Sequence, residues 1–432
     1  MRPPHSQPPS REPGEPGGRV LSLRVNFSWT LAGYVVYAGC QWATLVAMAK
    51  LASPDAVGRF ALGTAVTAPI FLFAGLNLNA VQVTDTERRF AFSDYLGVRL
   101  AGMLAALVAV AVIVSLSPYD RQMRLVALAV GMTKAIEGVS DIHYGFLQQN
   151  ERMRPMAASL MWRGTLGVLA VCSVLWAGGG LLLAVVAMGA SWLAVLVAHD
   201  WRAVASLMRA TARHPLQRPR WRTFRHIAAT SAPIAVVLML VSLRTNLPRY
   251  FIENQLGASE LGVYAAVSSL VAAGNLVIAA LGQAATPRLA HHYFAVKLRA
   301  FRRLMAQLLL VAGFVGCAGV ALAIFAGKPL LRVLFGPVYA GRADVLVWLM
   351  VAGLIAYADS FLGCALTAAR RFKIQLPLFA VTAVACAGAS AWLVPRYGLI
   401  GAAWAWGATL MLESIAAAVI LALAVRARSG QP

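Results

Sequence analysis

KAIEGVSDIHYGFLQ, residues 134–148, draws a polar stripe along one side of an otherwise apolar segment. Steps of 3, 4, 3 and 4 join Lys134, Glu137, Asp141, Tyr144 and Gln148, so a helix gathers them on one face. Ala135, Ile136, Val139, Ile142, Phe146 and Leu147 fall on the opposite face. The neighbouring segments are long and apolar, which places this helix in a membrane. A charge near the centre of a span costs roughly 2.5–3.5 kcal/mol on insertion scales, so such residues face a bundle interior or a wet cavity. The stripe therefore predicts a polar track along a cleft, with Lys134 at its deepest point. The competing reading is an internally neutralised Lys134–Glu137 pair that only fixes helix packing.

Working outward, the composition supports an all-α integral membrane protein. Of 432 residues, 60% are hydrophobic and only 12% charged, and the mean hydropathy is +0.70. Soluble domains carry about 25% charged residues. Runs of ~20 apolar residues recur along the chain, which argues for helical spans and against the alternating strands of a barrel. The net charge of +22 would suit nucleic acid in a soluble protein, but no accompanying fold is present. Here it reads as loop Lys and Arg that set topology, with an affinity for anionic membrane lipid. Cys40, Cys172, Cys317, Cys364 and Cys386 lie far apart in apolar segments and read as small hydrophobes. His291 and His292 read as a solvated loop pair, so neither metal nor organic cofactor is expected.

Residues 1–24, rich in Pro, Gly and Arg, read as a disordered tail. Twelve helices are predicted at about 25–49, 56–81, 94–117, 122–147, 155–177, 180–200, 226–249, 260–285, 301–326, 343–368, 375–394 and 398–425. Most of the 38 Lys and Arg then fall on one side, including those of 82–99 and 148–163, which puts both termini in the cytoplasm. The basic stretch 201–225 reads as a cytoplasmic linker between six-helix lobes at 25–200 and 226–425, with a tail at 426–432. SPDAVGRFAL (53–62) and SELGVYAAV (259–267) repeat Ser, an acid and Gly-x-aromatic-Ala, with Gly58 and Gly262 allowing a tight turn or close helix entry. An even number of spans per lobe makes the repeats parallel, around a central cleft.

The walls of that cleft follow. Trp29, Gly33, Tyr37, Cys40 and Thr44 share a face of the first helix and read as sugar-facing aromatics or as packing. Asn77, Asn79 and Gln82 read as cleft groups or as interhelical hydrogen bonds. Arg244 has no acidic neighbour in sequence and reads as the second candidate cavity cation, its guanidinium fork being shaped for phosphate oxygens, or as a side chain snorkelling to the outer interface. Arg249 and Glu253, four apart, read as a surface salt bridge. Asn275, Gln283, Arg163 and Asp359 complete the candidates.

The runs LNLNAVQVTDTERRFAFSDYLGVRL (76–100), KAIEGVSDIHYGFLQQNERM (134–153), LPRYFIENQLGASELGVYAAV (247–267) and ALGQAATPRLAHHY (280–293) resemble the polysaccharide-biosynthesis flippases. These are the Wzx-type O-antigen and capsule translocases of the multidrug/oligosaccharidyl-lipid/polysaccharide exporter (MOP) superfamily. The resemblance spans about 22–425 and departs at Asn79, where relatives often carry a basic residue. It implies a MATE-like, two-lobed bundle in a bacterial inner membrane, passing undecaprenyl-diphosphate-linked oligosaccharide between leaflets by alternating access, alongside a polysaccharide polymerase or export machinery. Lys134 and Arg244 would then contact diphosphate or sugar acids. Glu137 and Asp141 would hold Lys134 or take part in H+ or Na+ coupling. The rivals are a multidrug or cation antiporter of the same superfamily, a lipid II flippase, whose family typically carries two further helices, and a membrane glycosyltransferase or polymerase. The enzyme reading lacks a nucleotide motif, a nucleophile elbow and a large acidic outer loop.

Overall fold

Residues 23–210, 221–370 and 372–429 are described by a computed structural model. The predicted tail as far as residue 22, residues 430–432 and residues 211–220 of the predicted linker lie outside them. Among the described residues the chain is helical, with no strand. The first group comprises α1 (Leu23–Leu51), α2 (Pro54–Ala74), α3 (Leu78–Thr84), α4 (Phe92–Leu116), α5 (Arg121–Gln149), α6 (Met153–Trp176), α7 (Leu181–Val195), a π turn (Leu196–Asp200) and α8 (Trp201–Ala210). The second comprises α9 (Trp221–Leu256), α10 (Ala258–Phe294), α11 (Leu298–Leu334), α12 (Pro337–Ala340), α13 (Ala343–Ala368) and α14 (Phe372–Ser429).

Ten described segments are long and apolar enough to cross a membrane. Two more crossings bring the number to twelve, six in each group. The polar stripe keeps α5 out of the ten, and α14 is one segment only by run of hydrogen bonds: Gly398 (φ 58°, ψ −136°) divides it into two arms. Large apolar side chains on the outside, such as Phe314 and Phe325 on α11 and Trp176 on α6, are exposed as lipid-facing residues must be. The linker is shorter than predicted. Trp201–Ala210 continues the sixth crossing as helix with Val204 and Met208 buried, and α9 already starts at Trp221. His291 and His292 are not in a loop but on the last turn of α10, their rings 5.8 Å apart.

Local chemistry sets the ends of α2. Ser53 caps it, its hydroxyl accepting from the Ala56 amide (3.2 Å), and Pro54 occupies the first turn. After Ala74 the chain breaks at Leu76 and Asn77 (φ 51° and 49°) before α3 resumes. The predicted continuous helix 56–81 is thus two helices.

The two groups meet along a seam where α2 packs on α9 and α10. At one end of the seam the repeat glycines of α2 and α10 face each other. A Cβ on Gly58 would lie 1.7 Å from the Ala258 carbonyl oxygen, and one on Gly262 would lie 1.9 Å from that of Pro54. Neither glycine has positive φ, so the requirement is close helix approach and not a turn. About three turns further along α2, Pro69 lacks the amide that would satisfy the Ala65 carbonyl. The Tyr250 hydroxyl of α9 donates to that freed oxygen across the seam. At the other end, where the 85–91 loop lies, the groups touch through side chains, Phe90 and His226 being 5.9 Å apart. The seam is backbone-tight at the glycine face and looser at the opposite, Arg-rich face.

Tyr250→Phe removes one cross-seam hydrogen bond, worth about 1 kcal/mol net, or about a fivefold shift in an equilibrium. Gly262→Leu forces the backbones apart and shifts it further. Both raise the rate at which an impermeant thiol reagent, applied at the glycine face, labels Ser268→Cys in a cysteine-free background. Unchanged labelling would show that the glycine crossing is not the seal.

Candidate functional site

Each group contains a cavity with one wall on the seam. The first, about 380 Å³, is lined by α1, α2, α4, α5 and α6. Its centre is Glu137. The Lys134 ammonium donates to one carboxylate oxygen at 2.8 Å. The other accepts from the Tyr37 hydroxyl at 2.8 Å and from Arg163 at 3.5 Å. Arg163 is 3% exposed, with its guanidinium 4.5 Å from the Tyr37 ring centroid, 5.2 Å from Trp192 and 5.6 Å from Tyr144. Its Nε and Nη1 are buried without a hydrogen-bond partner. One helical turn along α5, Asp141 accepts from Arg99 at 3.0 Å.

Small residues make this assembly fit. A Cβ on Gly164 would lie 2.9 Å from the Cys40 Cβ and 3.3 Å from the Tyr37 Cα, so the glycine lets α1 pack closely on α6 where Tyr37 meets Arg163. Gly75 leaves the gap through which Arg99 passes, since a Cβ there would lie 2.7 Å from its Nη1. Three cations (Lys134, Arg99 and Arg163) face two carboxylates (Glu137 and Asp141), a formal excess of one positive charge.

The structure thus brings Tyr37, Lys134, Glu137 and Asp141 together, and it corrects three expectations. Lys134 is not a lone cation: Arg99, grouped from sequence with the basic segment 82–99, and Arg163, a lesser candidate in the helix predicted at 155–177, lie inside the bundle, 5% and 3% exposed. Gln148 is not in the cavity lining; its amide packs on Met156 Sδ at 2.9 Å. Trp29 is also outside it, under the Arg154 guanidinium at 5.6 Å. Asn79 bonds the Asp141 backbone carbonyl at 2.8 Å, an interhelical tie.

The second cavity, about 420 Å³, is lined by α9, α10, α13 and α14, and includes Arg244, Arg249, Asn275, Asp359, Trp406 and Glu413. Arg244, expected to lack an acidic partner, forms an ion pair with Glu413 on the far arm of α14. Both are buried. Its backbone carbonyl, freed by Pro248, accepts from Cys386 Sγ at 3.7 Å. Asp359 accepts from the Ser414 hydroxyl at 3.1 Å. Arg249 does not pair with Glu253; it lines the cavity and donates to Asn246 Oδ1 at 3.1 Å. Glu413 and Arg99 were missed. Glu413 is an acid inside the last span, a signal available in the sequence; Arg99 was obscured by proximity to the Arg88–Arg89 loop. Among the described residues no group of three or more His, Cys, Asp or Glu could hold a metal ion.

Such cavities present guanidinium forks for oxyanions beside aromatic faces. Twelve crossings in two lobes with a cavity in each define a multi-pass membrane protein. The same fold is found in a multidrug-resistance MATE-family transporter of the MOP superfamily in an inward-facing conformation (TM-score 0.73, 13% identity, 93% of this chain and 99% of that one). It is found again in the lipid II flippase MurJ in an inward closed conformation (TM-score 0.68, 12% identity, 90% and 86%). The family model described as polysaccharide biosynthesis protein matches residues 23–292, more than half of the chain, and the chain belongs to that family. A relative in Staphylococcus aureus, capsular polysaccharide biosynthesis protein CapF, is 25% identical over 378 residues, 88% of this chain and 94% of that protein.

The Arg99–Asp141 pair is asymmetric, with side chains 6% and 43% exposed. Asp141→Asn strands a buried guanidinium and costs about 3 kcal/mol, while Arg99→Met leaves a carboxylate that water still reaches and costs less. Melting of the purified protein in detergent orders the two variants. An equal or reversed order would contradict this geometry.

Proposed function

We propose that the protein is a flippase that carries an undecaprenyl-diphosphate-linked oligosaccharide, the repeat unit of an O-antigen, capsule or exopolysaccharide, from the inner to the outer leaflet of a bacterial cytoplasmic membrane. The observation that carries this reading is the first cavity. Inside a membrane bundle of the polysaccharide biosynthesis family, cations exceed carboxylates by one, and two arginine side chains there are almost wholly buried. A diphosphate needs that excess to leave water, the sugar needs polar walls, and the lipid tail can stay in the bilayer. CapF supports the reading from sequence and MurJ from fold.

In this reading the Arg-rich face and both termini are cytoplasmic, the glycine face is the outer seal, and exchange between seals gives alternating access. Asp141 and Asp359 are the carboxylates available for H+ or Na+ coupling, and a polysaccharide polymerase takes the product. A multidrug or cation antiporter would use a carboxylate-centred cavity, which the cation excess disfavours. Nothing in either cavity calls for a covalent reaction, so the protein is read as a carrier and not as an enzyme.

Deleting the gene separates the readings. Surface polysaccharide is lost and lipid-linked repeat units accumulate on the inner leaflet, and Lys134→Gln at normal protein level reproduces part of that loss. Intact polysaccharide with lowered drug tolerance would support the antiporter instead.

A further inference from the structure

Five basic side chains line the two cavities. Four of them have a carboxylate partner: Lys134 and Arg163 share Glu137, Arg99 holds Asp141, and Arg244 holds Glu413. Arg249 is the exception, for among the described residues no carboxylate lies within ion-pair distance of it. Its hydrogen bond is to an uncharged amide oxygen, that of Asn246. A guanidinium offers five N–H donors, and one hydrogen bond to Asn246 leaves most of this one for a ligand.

The surroundings indicate what kind of ligand. Trp406, Tyr264 and Phe379 supply aromatic surface to the same cavity, and Thr245, Ser268 and Asn275 supply hydroxyl and amide groups. Rings that stack on C–H faces beside groups that bond hydroxyls are the two chemistries a sugar presents. We propose that the second cavity is a saccharide pocket in which Arg249 receives an oxyanion of the ligand, either the carboxylate of an acidic sugar or a phosphate of the carrier. The inference deepens the flippase reading by giving the second lobe a part in substrate selection, and it rests on that reading for the word saccharide. The site lies beside the seam: the next residue, Tyr250, holds the Ala65 carbonyl across it.

The test is calorimetry on the full-length protein in nanodiscs with three probes: methyl glucuronide, its neutral counterpart methyl glucoside, and inorganic pyrophosphate. An anionic probe is expected to bind about tenfold or more tightly than the glucoside, as a charged hydrogen bond provides. Arg249→Gln removes that preference, and Arg249→Lys keeps part of it because the charge remains without the fork. Glucuronide loss at Arg249→Gln identifies an acidic sugar as the source of the oxyanion, and pyrophosphate loss identifies the carrier. The proposal is overturned if Arg249→Gln and Arg249→Lys both bind all three probes as the wild type does, or if the wild type shows no preference for either anion. Loss of binding in Arg249→Gln from a protein that exports drugs would remove the flippase reading alone. Unchanged binding in a proven flippase would remove this inference alone.

Discussion

Neutralising charge inside an apolar bundle is the constraint from which the first lobe is built. Glu137 cannot remain ionised among apolar helices without partners, and its three partners come from α5 itself, α1 and α6. The same rule repeats down the stripe. Asp141 ties α5 to α4 through Arg99 and to α3 through Asn79, and Tyr144 reaches Ser159 on α6 at 2.7 Å. The stripe is therefore both a cavity wall and the hub that holds four other helices. Such pairs add little net stability, because desolvation offsets most of their Coulomb attraction. What they contribute is position: α1, α3, α4 and α6 can satisfy the stripe in one arrangement.

The seam follows a different rule. Among the described residues it has no buried ion pair; beside the Trp42–Ser269 side-chain hydrogen bond, it uses backbone groups released by missing atoms. Glycine at 58 and 262 removes side chains so that two helices touch. Proline at 69 removes an amide, leaving a carbonyl for Tyr250. Contacts of this kind are individually small, near 1 kcal/mol, and the exposed carbonyl can be satisfied by water when the contact opens. Charged clusters join the helices within the first lobe, while the contacts between lobes at the glycine face and at Tyr250 are made to backbone groups.

The fold was largely legible in the sequence because hydropathy is a local property. The helix count, the lobe repeat and the membrane class all came from it, including the reciprocal glycines, whose partner across the seam was not legible. Lys134, Glu137, Asp141 and Tyr37 were legible for the same reason, since a charge or a periodic aromatic in an apolar run stands out at once. Pairings across helices were not. Arg244 looked partnerless because Glu413 is remote in sequence, and Arg249 looked paired because Glu253 is near. Helix spacing finds neighbours on one helix only, and in a bundle the decisive partner stands on another. Arg99 shows the complementary failure: its helix was predicted at 94–117, close to the observed start at Phe92, but its charge was grouped with the basic segment 82–99 and not read as a bundle cation.

The two cavities also differ in a way that bears on mechanism. In the first, every cation has a carboxylate within 3.5 Å, so its positive excess arises because Lys134 and Arg163 share one acid. A ligand anion there competes with Glu137 and must displace an existing contact. In the second, Arg244 is neutralised by Glu413 and Arg249 stands apart, so an anion can be received without breaking an ion pair. The first cavity is suited to a ligand whose binding rearranges α1, α5 and α6 through Glu137, and the second to a ligand held without rearrangement.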